Sequence, residues 1–154
     1  MATCKAICVV YSNNSIVGTL TLTSSEGSTS IHGTLSGLTP GKHGLSICVA
    51  GDVSQGGNSC GPIFNPFGKT HGAPTDENRM AGDLGNVEIG DNGSGVVNIP
   101  DNALVQLLGP HSVIGRSIVV YAGEDDLGRG GHENSGTTGN AGPRIAAGVI
   151  GLVV

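Results

Sequence analysis

The chain has 154 residues, enough for one domain with a single hydrophobic core. Glycine is very frequent at 28 residues, only 3% of residues are aromatic and tryptophan is absent, so Val, Ile, Leu and Ala must form the core. The net charge of −5 argues against nucleic acid and membranes as partners, and no apolar run is long enough to span a membrane.

Short apolar or alternating segments separated by turn signals predict about eight β-strands and almost no helix. The predicted strands, in chain order, are residues 4–10, 16–23, 31–35, 45–50, 87–89, 96–99, 117–121 and 145–154, with weaker candidates at 104–108 and 112–113. Such a succession of strands, with turns every 8–12 residues, is typical of an antiparallel sandwich or barrel. In the strand at 45–50, Leu45 and Ile47 share one face, and Ser46 and Cys48 share the other.

Two long loops interrupt this pattern, at residues 61–86 and 122–144, and loops of this length in a small domain are usually functional or disordered. The first loop carries apolar residues that can anchor it, and polar residues with ligand chemistry. The apolar set is Ile63, Phe64, Phe67 and Leu84, and the polar set is His71, Asp76, Glu77 and Asp83. We therefore predict that the first loop is ordered and holds the functional site.

The amino-terminal segment lacks a cationic region followed by a long apolar one, so no secretory signal is recognised and a cytoplasmic location is expected. Four cysteines in that compartment favour free thiols over a disulfide scaffold. Cys4 and Cys8 lie on one strand face but too far apart along the strand to pair with each other. Cys8 is predicted to lie in the core.

Seven motifs give the chain a specific resemblance to a known family over essentially its full length. They are GLTPGKHG (37–44), GPIFNP (61–66), HGAPTDENR (71–79), GDLGNV (82–87), GPHSVIGR (109–116), DDLGRGGHE (125–133) and TGNAGPRIAAGVIG (138–151). With these motifs the chain resembles the copper/zinc superoxide dismutases. The resemblance implies a single domain over 1–154, an all-β, eight-stranded antiparallel Greek-key barrel, a zinc-binding loop at 61–86 and an electrostatic loop at 122–144. It also implies a homodimer.

The metal-ligand positions implied by the resemblance hold unexpected residues. The four copper positions hold Ser46, Cys48, Ile63 and Tyr121, and none is histidine. Ile63 also occupies the position of the imidazole that the two metals share. At the zinc site His71 and Asp83 remain, while the other histidine position holds Met80.

Other features of the family are partly kept. The positions of the intrasubunit disulfide hold Gly57 and Ala147, although Cys60 lies nearby. The lysine positions that steer superoxide hold Gly123 and Thr137. Two groups are retained, namely Arg144, which positions the anion in the family, and Asp125, the carboxylate that bridges the two metal sites.

These substitutions lead to expectations about cofactors. Isoleucine cannot ligate a metal, and serine and tyrosine are poor copper ligands at neutral pH, so Ile63 and its neighbours are expected to fill the former metal cavity. No cofactor is expected, copper least of all, with at most weak zinc binding at His71 and Asp83. Alternatively, His71 and Asp83 hydrogen-bond within the loop, and Asp125 fastens it. Arg144 is then a vestigial residue that caps loop carbonyls.

The leading functional hypothesis is a copper-free, catalytically inactive superoxide dismutase-like protein that acts as a structural or interaction module. One alternative is a residual superoxide dismutase, which converts superoxide to oxygen and hydrogen peroxide. Another is a metal-binding or copper-chaperone-like protein that uses Cys48, Cys60 and Met80. Whether the chain is an enzyme stays open at this point, with the balance against it.

The family's dimer surface corresponds to a set of apolar residues and glycines in this chain. They are Ala50, Gly51, Ile114, Gly115, Val149, Ile150 and Gly151. A homodimer is therefore expected, or a heterodimer with an active paralogue.

Overall fold

The computed structural model describes residues 3–154, so the first two residues of the predicted domain lie outside the described residues. Nine strands form. They are β1 (Cys4–Ser12), β2 (Ser15–Ser25), β3 (Ser28–Ser36), β4 (Gly41–Cys48), β5 (Ser54–Gly57), β6 (Asp83–Ile89), β7 (Ser94–Asn102), β8 (Ser117–Tyr121) and β9 (Arg144–Leu152). The eight predicted strands each correspond to one of these, and β5 was not predicted. The weaker candidates at 104–108 and 112–113 are wrong as strands, because only one isolated bridge, Gln106 to Ser112, forms there.

Eight strands form one antiparallel sheet in the order β6-β4-β8-β9-β1-β2-β3-β7. The two end strands, β6 and β7, are joined by a tight hairpin, so the sheet curls into a nearly closed barrel. The predicted all-β Greek-key barrel is confirmed, and no α-helix occurs between residues 3 and 154. In this part of the chain there is no helix long and apolar enough to cross a membrane.

The hairpin between β6 and β7 forms as the sequence GDNGSG predicts. The Gly90 N–H donates to the Ser94 carbonyl at 2.9 Å, and the Asn92 side chain accepts from the Ser94 N–H at 3.0 Å. Gly93 adopts a positive φ of 80°, which glycine tolerates without strain.

The two largest differences from the predicted strand boundaries arise because pairing, rather than apolar pattern, sets them. β4 begins at Gly41 and β6 at Asp83, since Gly41 pairs with Ile89 and Ser46 pairs with Asp83. After Cys48 the chain leaves the sheet but stays bonded to the first long loop. The Val49 N–H donates to the Pro62 carbonyl at 2.9 Å, which holds the loop against the end of β4.

The strands β4 and β8 bury both of their faces. Leu45, Ile47 and Ile118 point into the main barrel core. The opposite face carries Cys48 and Tyr121, which belong to a second buried cluster outside the barrel. The two long loops cover this second cluster, so the functional site predicted for the loops lies on the outer wall of the barrel.

Candidate metal centre

The outer face of the barrel brings three of the four copper-position side chains together. Ser46 and Cys48 lie two residues apart on β4, and Tyr121 ends the neighbouring strand β8. The Ser46 Oγ lies 2.8 Å from the Tyr121 hydroxyl and 3.4 Å from the Cys48 Sγ, and the Cys48 Sγ lies 3.9 Å from the Tyr121 hydroxyl. The three groups therefore hydrogen-bond to one another.

Burial keeps this trio neutral. Burial raises the pKa of the Cys48 thiol, although the hydrogen bond from Ser46 and the charge of Arg144 oppose the shift. Burial also raises the pKa of the Tyr121 phenol well above its usual value. At neutral pH neither side chain is an anionic donor, and a metal ion would have to displace their protons.

Ile63 lies beside the trio and is almost fully buried. Its backbone bridges to Cys48, and its side chain packs in the second cluster with Cys60, Val119, Ala141 and Ala147. Met80 packs against the same cluster. Ile63 therefore contributes an apolar side chain to the second cluster, where the resemblance implies a shared imidazole.

Arg144 closes this site from the start of β9. Its Nη1 donates to the carbonyls of Gly57 at 3.0 Å and Gly61 at 2.6 Å, and its guanidinium carbon lies 5.6 Å from the centre of the Tyr121 ring. The predicted capping of loop carbonyls is therefore present. All four cysteines are free, and Cys60 instead directs its Sγ to the carbonyls of Asp52 and Gly56.

His71 lies between two carboxylates on the zinc side of the site. Its Nε2 is hydrogen-bonded to Asp125 Oδ1 at 2.7 Å, and its Nδ1 faces Asp83 Oδ1 at 2.6 Å. Burial alone would lower the pKa of His71, but Asp125 and Asp83 outweigh it and raise the pKa from 6.5 to about 9. The imidazole is therefore a buried cation at neutral pH.

The two carboxylates are themselves fixed by backbone and side-chain amides. Asp83 Oδ2 accepts from the N–H groups of Gly72 at 3.0 Å and Met80 at 2.8 Å. Asn86 brackets the backbone of Asp125, since its Oδ1 accepts from the Asp125 N–H at 2.7 Å and its Nδ2 donates to the Asp125 carbonyl at 2.9 Å. The ion cluster thus joins the loop at 61–86 to the loop at 122–143.

Three contributors to this junction were not singled out from the sequence. Asn86 is one, and Arg129, whose guanidinium pairs with Asp76 at 2.5 Å on the surface, is another. The third is Gly139, which has a φ of 70° and packs so closely that a Cβ would collide with the Asp125 carboxylate and lie 2.7 Å from His71 Nε2. The glycine-rich motif TGNAG was the available signal for the third.

The residues at the two metal positions fit the implied ions unequally. The Ser46, Cys48 and Tyr121 trio is not the imidazole set that suits a redox copper. On the zinc side, His71 Nδ1 and Asp83 Oδ1 face each other at 2.6 Å, and both atoms are buried without another hydrogen-bond partner. No group of three or more His, Cys, Asp and Glu side chains in residues 3–154 is arranged to hold a metal ion. The zinc side therefore offers two of the usual four protein ligands.

Most residues predicted for the dimer surface come together on one patch. A Cβ at Gly51 would meet the Gly115 carbonyl, and Val149 Cγ1 would lie 3.2 Å from it. Gly151 pairs with the exposed Ile7 across β1 and β9. Ile150 differs from the prediction, because alternation along β9 turns its side chain into the main core, where it is fully buried.

Two comparisons with known proteins bear on this site. The family model described as copper/zinc superoxide dismutase matches residues 16–150. A relative named superoxide dismutase [Cu-Zn] 2, from Brassica juncea, is 50% identical over 149 residues, which cover 96% of this chain and 97% of the relative.

These findings overturn one prediction. We expected no cofactor, with copper unlikely and zinc at most weak, whereas the family and the relative's name point to copper and zinc. That expectation was drawn from residue identities at seven metal-ligand positions and gave no weight to the rest of the scaffold. Members of the family are typically homodimers, in keeping with the apolar patch described above. On its fold, its motifs and both comparisons, the chain belongs to the copper/zinc superoxide dismutase family.

Proposed function

We propose that this chain is a divergent family member that has lost dismutase turnover and acts as a protein-interaction module. The observation that supports the proposal is the trio of Ser46, Cys48 and Tyr121, whose polar groups hydrogen-bond to one another on the buried face. Dismutation needs a metal that alternates between two oxidation states in a fixed ligand field. A neutral thiol, phenol and hydroxyl do not supply the field that imidazoles provide.

Substitutions around the site also argue against dismutase turnover. Gly123 and Thr137 stand where the resemblance implies steering lysines, so little positive charge draws an anion toward the site. Arg144 remains, but its Nη1 is engaged by two loop carbonyls. Slower capture of superoxide is thus expected in addition to the altered metal chemistry.

A dismutase assay on the purified protein, supplied with copper and zinc, tests the lost activity. We expect turnover per bound copper to be at least about a hundredfold below that of the Brassica juncea relative assayed alongside, because changing even groups behind metal ligands costs 10–100-fold. The bound metal is counted by elemental analysis in both samples. Turnover per copper close to that of the relative would refute the proposal.

The interaction role rests on the apolar patch around Gly51, Gly115 and Val149. Val149 is 40% exposed, and glycines beside it allow close approach of a partner. The same surface suits a homodimer or a heterodimer with an active paralogue, since apolar, charge-poor patches form interface cores.

Replacing Val149 with lysine should weaken this association. A charge in the apolar centre is expected to raise the dimer dissociation constant by about thirtyfold or more, as loss of a hot spot does. Val96→Lys, at a 68% exposed position on β7, is the matched control and should leave the dimer intact. Size-exclusion chromatography with light scattering measures both. A parent protein that is monomeric at micromolar concentration would exclude the homodimer.

A second candidate function is residual superoxide dismutase activity, and the 50% identity to a relative named as such favours it. A third is metal binding through sulfur. The observation that favours it is that Cys48 and Cys60 belong to one buried cluster and Met80 packs against it, so three sulfur-containing side chains lie in one region.

A further inference from the structure

A cavity of about 500 Å³ opens between the β1–β2 hairpin, β5 and the first residues of β9. Gly57 and Ala147, which stand where the resemblance implies the intrasubunit disulfide, both line it. Neither residue has a side chain larger than a methyl group, so space is left at these two positions. The volume lies in the range of small-molecule pockets. None of the lining residues belongs to the predicted dimer surface.

Four carboxamide side chains line this cavity. Asn13 and Asn14 form the turn of the β1–β2 hairpin, while Gln55 lies on β5 and Asn58 follows that strand directly. All four residues are exposed, and their side-chain amides form no hydrogen bond within residues 3–154. A carboxamide both donates and accepts hydrogen bonds, and so does a hydroxyl group. The lining therefore matches a ligand that carries several hydroxyl groups.

The backbone that carries these carboxamides is held in place by other side chains. The Ser59 Oγ accepts from the Gln55 N–H at 2.9 Å and donates to the Asp52 carbonyl at 2.7 Å. The Ser12 Oγ donates to the Ile145 carbonyl at 2.9 Å, which ties the hairpin to β9. Groups that are already positioned lose less freedom when a ligand binds, so unpaired amides on a fixed backbone favour binding.

Tyr11 adds an aromatic surface to the cavity. Phe64 and Tyr121 are buried, whereas Tyr11 is 45% exposed and lines the cavity. Tyr11 pairs with Ala147 across β1 and β9, so a methyl group is its neighbour on that side. The ring therefore offers an apolar face to a ligand beside the four carboxamides.

These two features together select the chemical class of the ligand. A β-D-glucopyranosyl ring carries its hydroxyl groups around its edge and C–H bonds on its two faces, so the edge suits the carboxamides and a face suits Tyr11. A charge on the ligand is not required. Arg144 is the one charged residue that lines the cavity in residues 3–154, and its Nη1 already donates to the carbonyls of Gly57 and Gly61.

We infer that this cavity binds a neutral β-glucoside, with a sugar ring packed on Tyr11 and its hydroxyl groups hydrogen-bonded to the four carboxamides. This binding site goes beyond the proposed loss of dismutase activity and does not rest on it. Saccharide binding is measured without superoxide or metal, so the two proposals fail independently.

Isothermal titration of the unmodified protein with methyl β-D-glucopyranoside and cellobiose tests the ligand class. We expect both to bind, and cellobiose to bind more tightly because its second ring adds contacts. Cyclohexanol should bind at least about tenfold more weakly than the glucoside, because most of the hydrogen bonds are lost. Methyl β-D-glucuronide tests the charge and should bind no more tightly than the glucoside. Tighter binding of the glucuronide or of cyclohexanol would overturn the inference, as would no binding of cellobiose at millimolar concentration.

Variants of Tyr11 test the aromatic contact. Tyr11→Ala should weaken cellobiose binding about three- to tenfold, the usual worth of an aromatic contact, whereas Tyr11→Phe keeps the ring and should retain most of the binding. Phe67→Ala, at a 46% exposed aromatic residue outside the cavity, is the matched control and should change nothing. Unchanged cellobiose binding in Tyr11→Ala would overturn the inference.

Variants of the carboxamides locate the hydroxyl groups of the ligand. Gln55→Ala and Asn58→Ala should each weaken cellobiose binding about fivefold, the worth of one hydrogen bond. Asn98→Ala, at an exposed carboxamide on β7, is the control and should bind as the parent does. Two-dimensional NMR of the unmodified protein gives a test that needs no variant, because cellobiose should shift the side-chain NH₂ signals of the four carboxamides. Unmoved signals would place the saccharide elsewhere and overturn the inference.

Discussion

Replacing His71 with glutamine should lower the free energy of unfolding by about 3–5 kcal/mol, the usual cost of removing one partner from a buried ion pair. The side chains of His71, Asp83 and Asp125 are 1%, 0% and 4% exposed, so water cannot compensate for the lost cation. Two carboxylates would then face each other across a neutral amide. Urea denaturation, with a chelator present, measures the loss.

Removing the charges that His71 balances should reverse part of this effect. In the His71→Gln background, Asp83→Asn and Asp125→Asn are expected to restore stability, because the repulsion between unpaired buried charges disappears. His32→Gln, on the exposed side of β3, is the control for losing a histidine and should change stability by less than about 0.5 kcal/mol. If His71→Gln behaves like the His32 control, the ion cluster does not hold the loops together.

The sequence alone predicted the fold well because strands of this kind are specified locally. Alternation in residues 16–23 specifies β2, and the turn at GDNGSG specifies the connection between β6 and β7. β5 was missed because Ser54–Gly57 has no apolar alternation and owes its extended shape to neighbours. The early start of β4 was missed for a related reason, since Gly41 and Lys42 pair with β6 without carrying an apolar pattern.

The site was predictable in its residues but not in its contacts. The motifs located Ser46, Cys48 and Tyr121, yet only the pairing of β4 with β8 shows that the three hydroxyl and thiol groups meet. Likewise His71 and Asp83 were grouped from the sequence, while the approach of Asp125 depends on how two loops distant in sequence fold over the barrel. Contacts between such loops leave no periodic signal along the chain.

The residues predicted for the dimer surface show a further limit of prediction from the sequence. Position by position, Ile150 counted as a surface residue, but the alternation of β9 places Val149 outward and Ile150 inward. A resemblance to a family identifies equivalent positions in the chain. The alternation of side chains along a strand decides which of those positions face a partner. This alternation can be read from the sequence and would have distinguished the outward Val149 from the inward Ile150.

Stability should fall as pH rises from about 6.5 to about 9 in the metal-free protein. The folded-state pKa of His71, about 9, lies above its ordinary value of 6.5, so over this range the native state binds a proton that the unfolded chain has released. The contribution is therefore complete below pH 6.5 and is lost as pH passes through the folded pKa. The expected total is about 3 kcal/mol, at about 1.4 kcal/mol for each pH unit.

The measurement is urea denaturation at pH steps from 6 to about 7.5, below the ordinary thiol pKa of about 8.5, so that ionisation of cysteines in the unfolded chain contributes little. Over this window His71→Gln should show a nearly flat profile, while His32→Gln should keep the slope of the parent. A parent profile that is flat or rises with pH would mean that the imidazole between Asp83 and Asp125 is neutral. Zinc titration at the same pH steps tests the protonation of His71 independently. A metal bound at His71 Nδ1 must displace the same proton, so zinc should bind more weakly as pH falls.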